Sequence, residues 1–170
     1  MDPALEPVPP RATPARGSAA PRETWERQYR SGGWDYPGGP DEAAHYLAIA
    51  HLCARHLEGA CLLDIGCGTG ILLAFLQRHA GMAPSRYSGG VIFNETLYCF
   101  DDPVAVLKKS IAQNMHAGSL LIVSRYGEHH EPIWDALAAH CNTLEQEVVA
   151  NSRGVRWKIR VLRPVAPASA

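Results

Sequence analysis

The stretch "LLDIGCGTG", residues 62–70, constrains this chain more than any other feature: an apolar run, an acid at its end, three alternating glycines, then the helical pattern "ILLAFLQRHA". A short apolar run closed by a turn signal reads as a buried strand, and glycine in the turn lets the backbone bend tightly and approach a ligand. Strand, glycine loop and helix in that order are the plan of a nucleotide site at the carboxyl ends of an α/β sheet. The spacing narrows the ligand. A dinucleotide fingerprint beginning at Gly66 needs glycine where Ile71 stands, and one beginning at Gly68 needs it where Leu73 stands. No Gly-Lys-Ser/Thr follows, so the stretch is not a phosphate-binding loop either. Asp64, just before the first glycine, repels phosphate and suits a cationic amine.

The rest of the chain alternates helix and strand signals. Residues 23–30 read as a short helix, followed by the glycine-rich loop "SGGWDYPGGP". Asp41 is placed to cap a helix running to about Leu57, with Gly59 as its stop. After the strand at "CLLDI", the helix "GILLAFLQRHA" ends at Gly81, and "DDPVAVLKKSIAQNM" is a helix capped by Asp102 with Pro103 at its first position. "GSLLIVS" is a strand, "EPIWDALAAHC" a helix and "LEQEVVANSRGVRWKIRVL" a hairpin. Strands alternating with helices imply a mostly parallel sheet covered on both faces. The proline-rich residues 1–22 have too few large apolar side chains to offset the entropy of ordering and read as a disordered leader. Residues 164–170 read as a flexible tail, leaving one domain over 23–163 with a helical cap at 23–58.

Charge and cysteine usage exclude several functions. With 170 residues, 46% hydrophobic content and a net charge of -1, the chain supports one core and shows no bulk attraction to nucleic acid or anionic membrane. Cys53, Cys61, Cys67, Cys99 and Cys141 form no C-x-x-C pair and lie mostly in apolar runs, as reduced core thiols of a cytoplasmic protein do. No window is long and apolar enough to span a bilayer. In the hairpin, Arg156, Lys158 and Arg160 alternate with apolar residues, and an even-length loop sets Glu145 and Glu147 on the same face to pair with them. That reading makes the stripe a solvated, self-paired surface rather than a nucleic-acid site.

The stretch "LLDIGCGTG" resembles motif I of the class I S-adenosylmethionine-dependent methyltransferases. "VIFNETLYCFDDPVAVLKK" is similar to the family's fourth strand, site loop and following helix, and "NMHAGSLLIVS" to its fifth strand. "WERQYRSGGWDYPGGPDEAAHYLAIA" resembles the N-terminal cap of small bacterial members acting on natural products, sugars or nodulation-type molecules. The resemblance covers about residues 23–162 and implies a Rossmann-like α/β sheet, mostly parallel with a C-terminal antiparallel hairpin. It implies S-adenosylmethionine as cofactor and methyl transfer to a small-molecule oxygen or nitrogen acceptor. By position it sets Asp64, Gly66, Cys67, Gly68 and Asn94 against the cofactor, with Tyr29, Trp34 and Tyr36 closing over its methionine end. His45 stands where such caps often carry an arginine. The candidates for a base are Glu95, Tyr98, His129 and His130, while His116, in a turn entering a strand, is structural.

One part of the family's pattern is missing. Sites of this plan place an acid at the end of the second strand, roughly 20 residues on, to hold the ribose hydroxyls. No Asp or Glu lies between Asp64 and Glu95. In "SRYSGGVIFNETLYCF", residues 85–100, "RYSG" resembles the opening of the second strand and "VIFNE" the end of the fourth. The segment lost is on the order of 40 residues, the size of a βαβ unit, and includes the second and third strands. In the family order 3-2-1-4-5-7-6, the helix after strand one leads to the opposite side from strand four. The shortened chain must therefore cross over left-handedly, move that helix, or put residues 88–94 in another slot. If the fourth slot is kept, strand one becomes an exposed edge that invites pairing with a second copy. A noncatalytic remnant acting as a binding or dimerisation module is the alternative to an enzyme.

Overall fold

The computed structural model describes residues 21–32, 39–81, 89–127 and 131–165. Helix α1 spans Arg22–Arg30, one residue inside the expected leader, and α2 spans Ala43–His56. Strand β1 is Leu62–Asp64, followed by α3, Ile71–Ala80, and β2, Gly90–Asn94. A 3-10 turn at Leu97–Cys99 leads to α4, Pro103–Asn114, where Asp102 caps the first turn by accepting from Ala105 N at 2.9 Å. Strand β3, Leu120–Tyr126, helix α5, Glu131–Ala138, and the hairpin β4, Cys141–Ala150, with β5, Arg156–Pro164, complete the chain. Pro164 pairs with Cys141, so the sheet runs one residue past the expected boundary. Among the described residues no helix is long and apolar enough to cross a membrane.

The five strands form one sheet in the order β1-β2-β3-β5-β4, the first three parallel and the hairpin antiparallel. Residues 90–94 lie between β1 and β3, which answers the question of their slot. Alternation along the strands splits the core. Ile92, Ile122, Ile159 and Val161 pack under α2 and α3 with Ile49, Leu52, Leu72 and Leu76. Val91, Phe93, Leu121 and Val123 pack on the other face with Leu107 of α4 and Trp134 and Leu137 of α5. At about 1.5–3 kcal/mol for each large side chain fully buried, these two layers supply the main driving force for folding.

The two parallel crossovers step in the same direction across the sheet, from β1 to β2 and from β2 to β3. Their helices nevertheless lie on opposite faces, α3 on one and α4 on the other. Same-direction crossovers on opposite faces have opposite hands, so one of them is left-handed, as only about 2% of such connections are. The shortened chain thus keeps both the strand slot and the helix face, and reverses a hand. Gly90 fits the tight join: a Cβ there would stand 2.6 Å from Leu57 Cδ1 and 2.8 Å from Leu62 Cδ2.

Three sequence expectations are corrected. Asp41 does not cap α2, whose N-cap is Glu42; its side chain instead accepts from Ser152 and Arg153 in the β4–β5 turn, at 3.3 and 3.0 Å. Glu145 and Glu147 do not share a face with the basic stripe. Ala150 pairs with Arg156, leaving the odd-length loop 151–155, so Gln146 and Val148 lie opposite Arg160 and Lys158 while Glu145 and Glu147 lie opposite Val161 and Ile159. The two glutamates reach α2, where Arg55 pairs with both and His56 Nε2 lies 2.5 Å from Glu145 Oε2. Among the cysteines, Cys53 and Cys141 are buried, but Cys61 and Cys67 are exposed, because each stands at a strand or loop edge rather than under a helix.

Candidate functional site

Asp64 ends β1 where the parallel strands open toward their carboxyl ends. Both of its carboxylate oxygens are buried and have no hydrogen-bond partner among the described residues. Burial without a compensating partner disfavours the anion, and the carboxyl is pushed up to about 6. The chain leaves β1 through Ile65, whose N–H donates to Ile92 O at 2.9 Å, and turns at Gly66 and Gly68, with φ of 79° and 55°. Gly70 N donates to Cys67 O at 2.9 Å and starts α3.

The turn's glycines make room for other parts of the protein. A Cβ on Gly66 would collide with the Thr96 methyl, and Thr96 Oγ1 donates to Ile65 O at 2.8 Å, which ties the loop to the end of β2. A Cβ on Gly68 would stand 2.8 Å from the Tyr29 hydroxyl. Tyr29 of α1 therefore lies against the glycine loop, and burial, followed by the nearby Cys67 and Cys99, raises its phenol's pKa.

At the end of β2, Asn94 Oδ1 accepts from Ser124 Oγ at 2.6 Å. Glu95 follows with φ of 59°, the left-handed region that non-glycine residues rarely adopt. Its Oε2 accepts from the Tyr98 hydroxyl at 3.1 Å and its Oε1 from Ser124 Oγ at 3.4 Å. Arg125, buried beside Ser124, stands 4.8 Å from the centre of the Tyr98 ring. Its desolvation outweighs attraction to Tyr98, Glu95 and Cys99 and lowers the guanidinium to about 10.

The structure thus brings together Asp64, Gly66, Cys67, Gly68 and Tyr29 on one side, and Asn94, Glu95 and Tyr98 on the adjoining strand end. Trp34, Tyr36, His129 and His130 lie outside the described residues. Thr96, Ser124 and Arg125 were not singled out from sequence; the β2–β3 register, which sets Ser124 beside Asn94, is what reveals two of them. His45 is 1% exposed and stacked on Trp157 at 4.7 Å, a core role. His116 closes the turn before β3, its N–H donating to Ser119 Oγ at 3.1 Å.

No protein-family model matches the chain, and no curated protein matches it. Solved structures do. The N-methyltransferase NodS from Bradyrhizobium japonicum, in complex with S-adenosyl-L-homocysteine, superposes with a TM-score of 0.65 at 12% identity, over 84% of this chain and 97% of that one. A Burkholderia thailandensis 1,6-didemethyltoxoflavin N1-methyltransferase, with bound S-adenosylhomocysteine, gives 0.65 at 15% identity, over 84% and 86%. CcbJ from Streptomyces caelestis gives 0.50 at 13% identity, over 77% and 95%. The chain has the class I methyltransferase fold. In that fold's terms, β1 to β3 fill the first, fourth and fifth positions and the hairpin the sixth and seventh. The second and third strands have no counterpart among the described residues.

Proposed function

We propose that this methyltransferase-type domain transfers a methyl group from S-adenosylmethionine to a small-molecule oxygen or nitrogen acceptor, with activity lowered by loss of the ribose- and adenine-holding segment. The observation that carries the reading is Asp64, a buried carboxylate with both oxygens unpartnered among the described residues, at the mouth of a glycine loop. Such a carboxylate suits the cofactor's ammonium, and the backbone at Gly66, Cys67 and Gly68 suits the close approach of its methionine chain. The adenosine end fits less well, since no acid lies between Asp64 and Glu95. The unpaired state of all five cysteines suits the reducing cytoplasm.

When bound, S-adenosylmethionine supplies an electrophilic methyl on a sulfonium centre. Glu95 is the group placed to take the acceptor's proton, with Tyr98 and Ser124 each holding one of its oxygens. Alignment of the acceptor lone pair supplies most of the rate, since effective molarities in well-oriented reactions reach about 10⁵ M or more. Calorimetry with S-adenosylhomocysteine tests the reading: binding is expected, and Asp64→Asn should weaken it about tenfold. Absence of heat at millimolar ligand would sink it.

The second reading is a noncatalytic module that dimerises through β1. It is favoured by the position of β1, which ends the sheet and pairs only with β2 among the described residues. Light scattering that finds monomer alone counts against it.

A further inference from the structure

The carboxyl end of β3 carries a cation that proton transfer at Glu95 leaves unused. Arg125 is 4% exposed, its Nε–H has no hydrogen-bond partner among the described residues, and its guanidinium stacks over Tyr98. A buried charge is costly unless an opposite charge and hydrogen bonds compensate it. Glu95, in the same cluster, already accepts from Tyr98 and Ser124.

The sheet register adds a second cation. Lys158 on β5 lies directly opposite Arg125, so both project from the same face, where like charges repel. Directly across from Lys158, β4 offers Val148, which is 56% exposed. The acids of β4, Glu145 and Glu147, project from the other face toward Arg55 and His56. The odd-length turn of the hairpin is what puts them there. Further along the same face Arg160 is engaged with Gln146 at 2.7 Å and with the Trp134 ring at 4.5 Å, which leaves Arg125 and Lys158 as the pair nearest Tyr98.

We propose that Arg125 and Lys158 form an oxyanion subsite for a carboxylate or phosphate carried by the methyl acceptor, with the Tyr98 ring as its flat wall. The proposal rests on the methyl-transfer reading above. It makes the acceptor bifunctional: its hydroxyl or amine meets Glu95 on one side of Tyr98, and its anionic group meets the cations on the other. A guanidinium fork suits such an oxyanion because it offers two parallel charge-assisted donors.

The test follows the Arg125 Nε–H signal by nitrogen-15 NMR in the full chain. Benzoate and phenyl phosphate are titrated against benzamide, the neutral twin of benzoate. At least one anion is expected to move the signal saturably, with benzamide about tenfold weaker. Arg125→Lys should remove the preference for the anion, and Lys158→Gln should reduce it. Should Arg125→Lys fail to fold, the wild-type titration still decides. An equal response to benzoate and benzamide, or silence at Arg125 with both anions, overturns the proposal. So does S-adenosylhomocysteine that displaces benzoate from Arg125, since the guanidinium would then read the cofactor. A separate signal reports on the parent reading: if S-adenosylhomocysteine leaves the Gly66 and Gly68 amides unmoved, methyl transfer fails and the subsite loses its acceptor, whatever benzoate does.

Discussion

Thr96 stands where a side chain on Gly66 would have to go, and its hydroxyl bonds the carbonyl of Ile65 one residue before that glycine. Gly66→Ala therefore meets two obstacles, a positive φ and the Thr96 methyl, and should destabilise the fold by about 1–3 kcal/mol in urea unfolding. Thr96→Ser in that background removes the methyl and should recover part of the loss; strict additivity of the two substitutions would exclude the contact as a cause. Asp64 sets a second expectation. Its carboxyl is raised from 3.8 to about 6, so the native state binds more protons than the unfolded chain between those values. Stability contributed by the protonated form is full below about pH 4 and is lost as pH rises through about 6, a change of order 2–3 kcal/mol. Asp64→Asn should flatten this slope in denaturation measured at pH 5 and pH 7.5, and an unchanged slope would assign it to another group. Asp64, the glycines, Asn94 and Glu95 were legible in the sequence because strand, turn and helix signals place them at strand ends. Thr96, Ser124 and Arg125 were not, since their places depend on which strands become neighbours and on the 3-10 turn at Leu97–Cys99.

The elements themselves were legible wherever a local signal fixed them. The cap at Asp102 and the stop at Gly81, with φ of 63°, emerged where capping chemistry puts them. Parity within the hairpin was not legible, because one residue more or less in the turn exchanges the faces of every side chain, and nothing in "ANSRGV" announces a five-residue loop. The consequence is an ionic link from β4 to α2, in which Arg55 and His56 hold Glu145 and lower its carboxyl below the ordinary range. A depressed carboxyl contributes stability that is present above the unfolded pKa and lost as pH falls through the folded one. Glu145→Gln should accordingly lower the melting temperature slightly at neutral pH and low salt. The difference between variant and wild type should vanish at about 1 M salt and again in acid, because the link is solvent-exposed and screened. A difference that survives both conditions would mean that packing, rather than charge, joins β4 to α2.

For the whole molecule, the decisive fact is that the chain closes the sheet from β1 directly to β2 while leaving α3 and α4 on opposite faces, at the expense of one reversed crossover. The central strands are secured from both sides: β2 lies between β1 and β3, and β3 between β2 and β5. Strand β1 has three residues and pairs only with β2 among the described residues. Its hold on the rest comes from Leu62 in the α2–α3 layer and Leu63 against the opposite one. Local opening requires the loss of few contacts there, so β1 and its glycine loop belong to the low-stability end of the molecule. Native-state hydrogen exchange should show the amides of Leu63 to Ile65 exchanging through a smaller opening free energy than those of Ile122, Val123 and Ile159. S-adenosylhomocysteine should narrow the gap, because a ligand seated on Asp64 and the glycine loop binds only the closed form. If β1 is already as protected as β3 without ligand, something covers its outer edge. The same exchange measurement over a range of protein concentrations would then show whether that cover is a second copy of the chain.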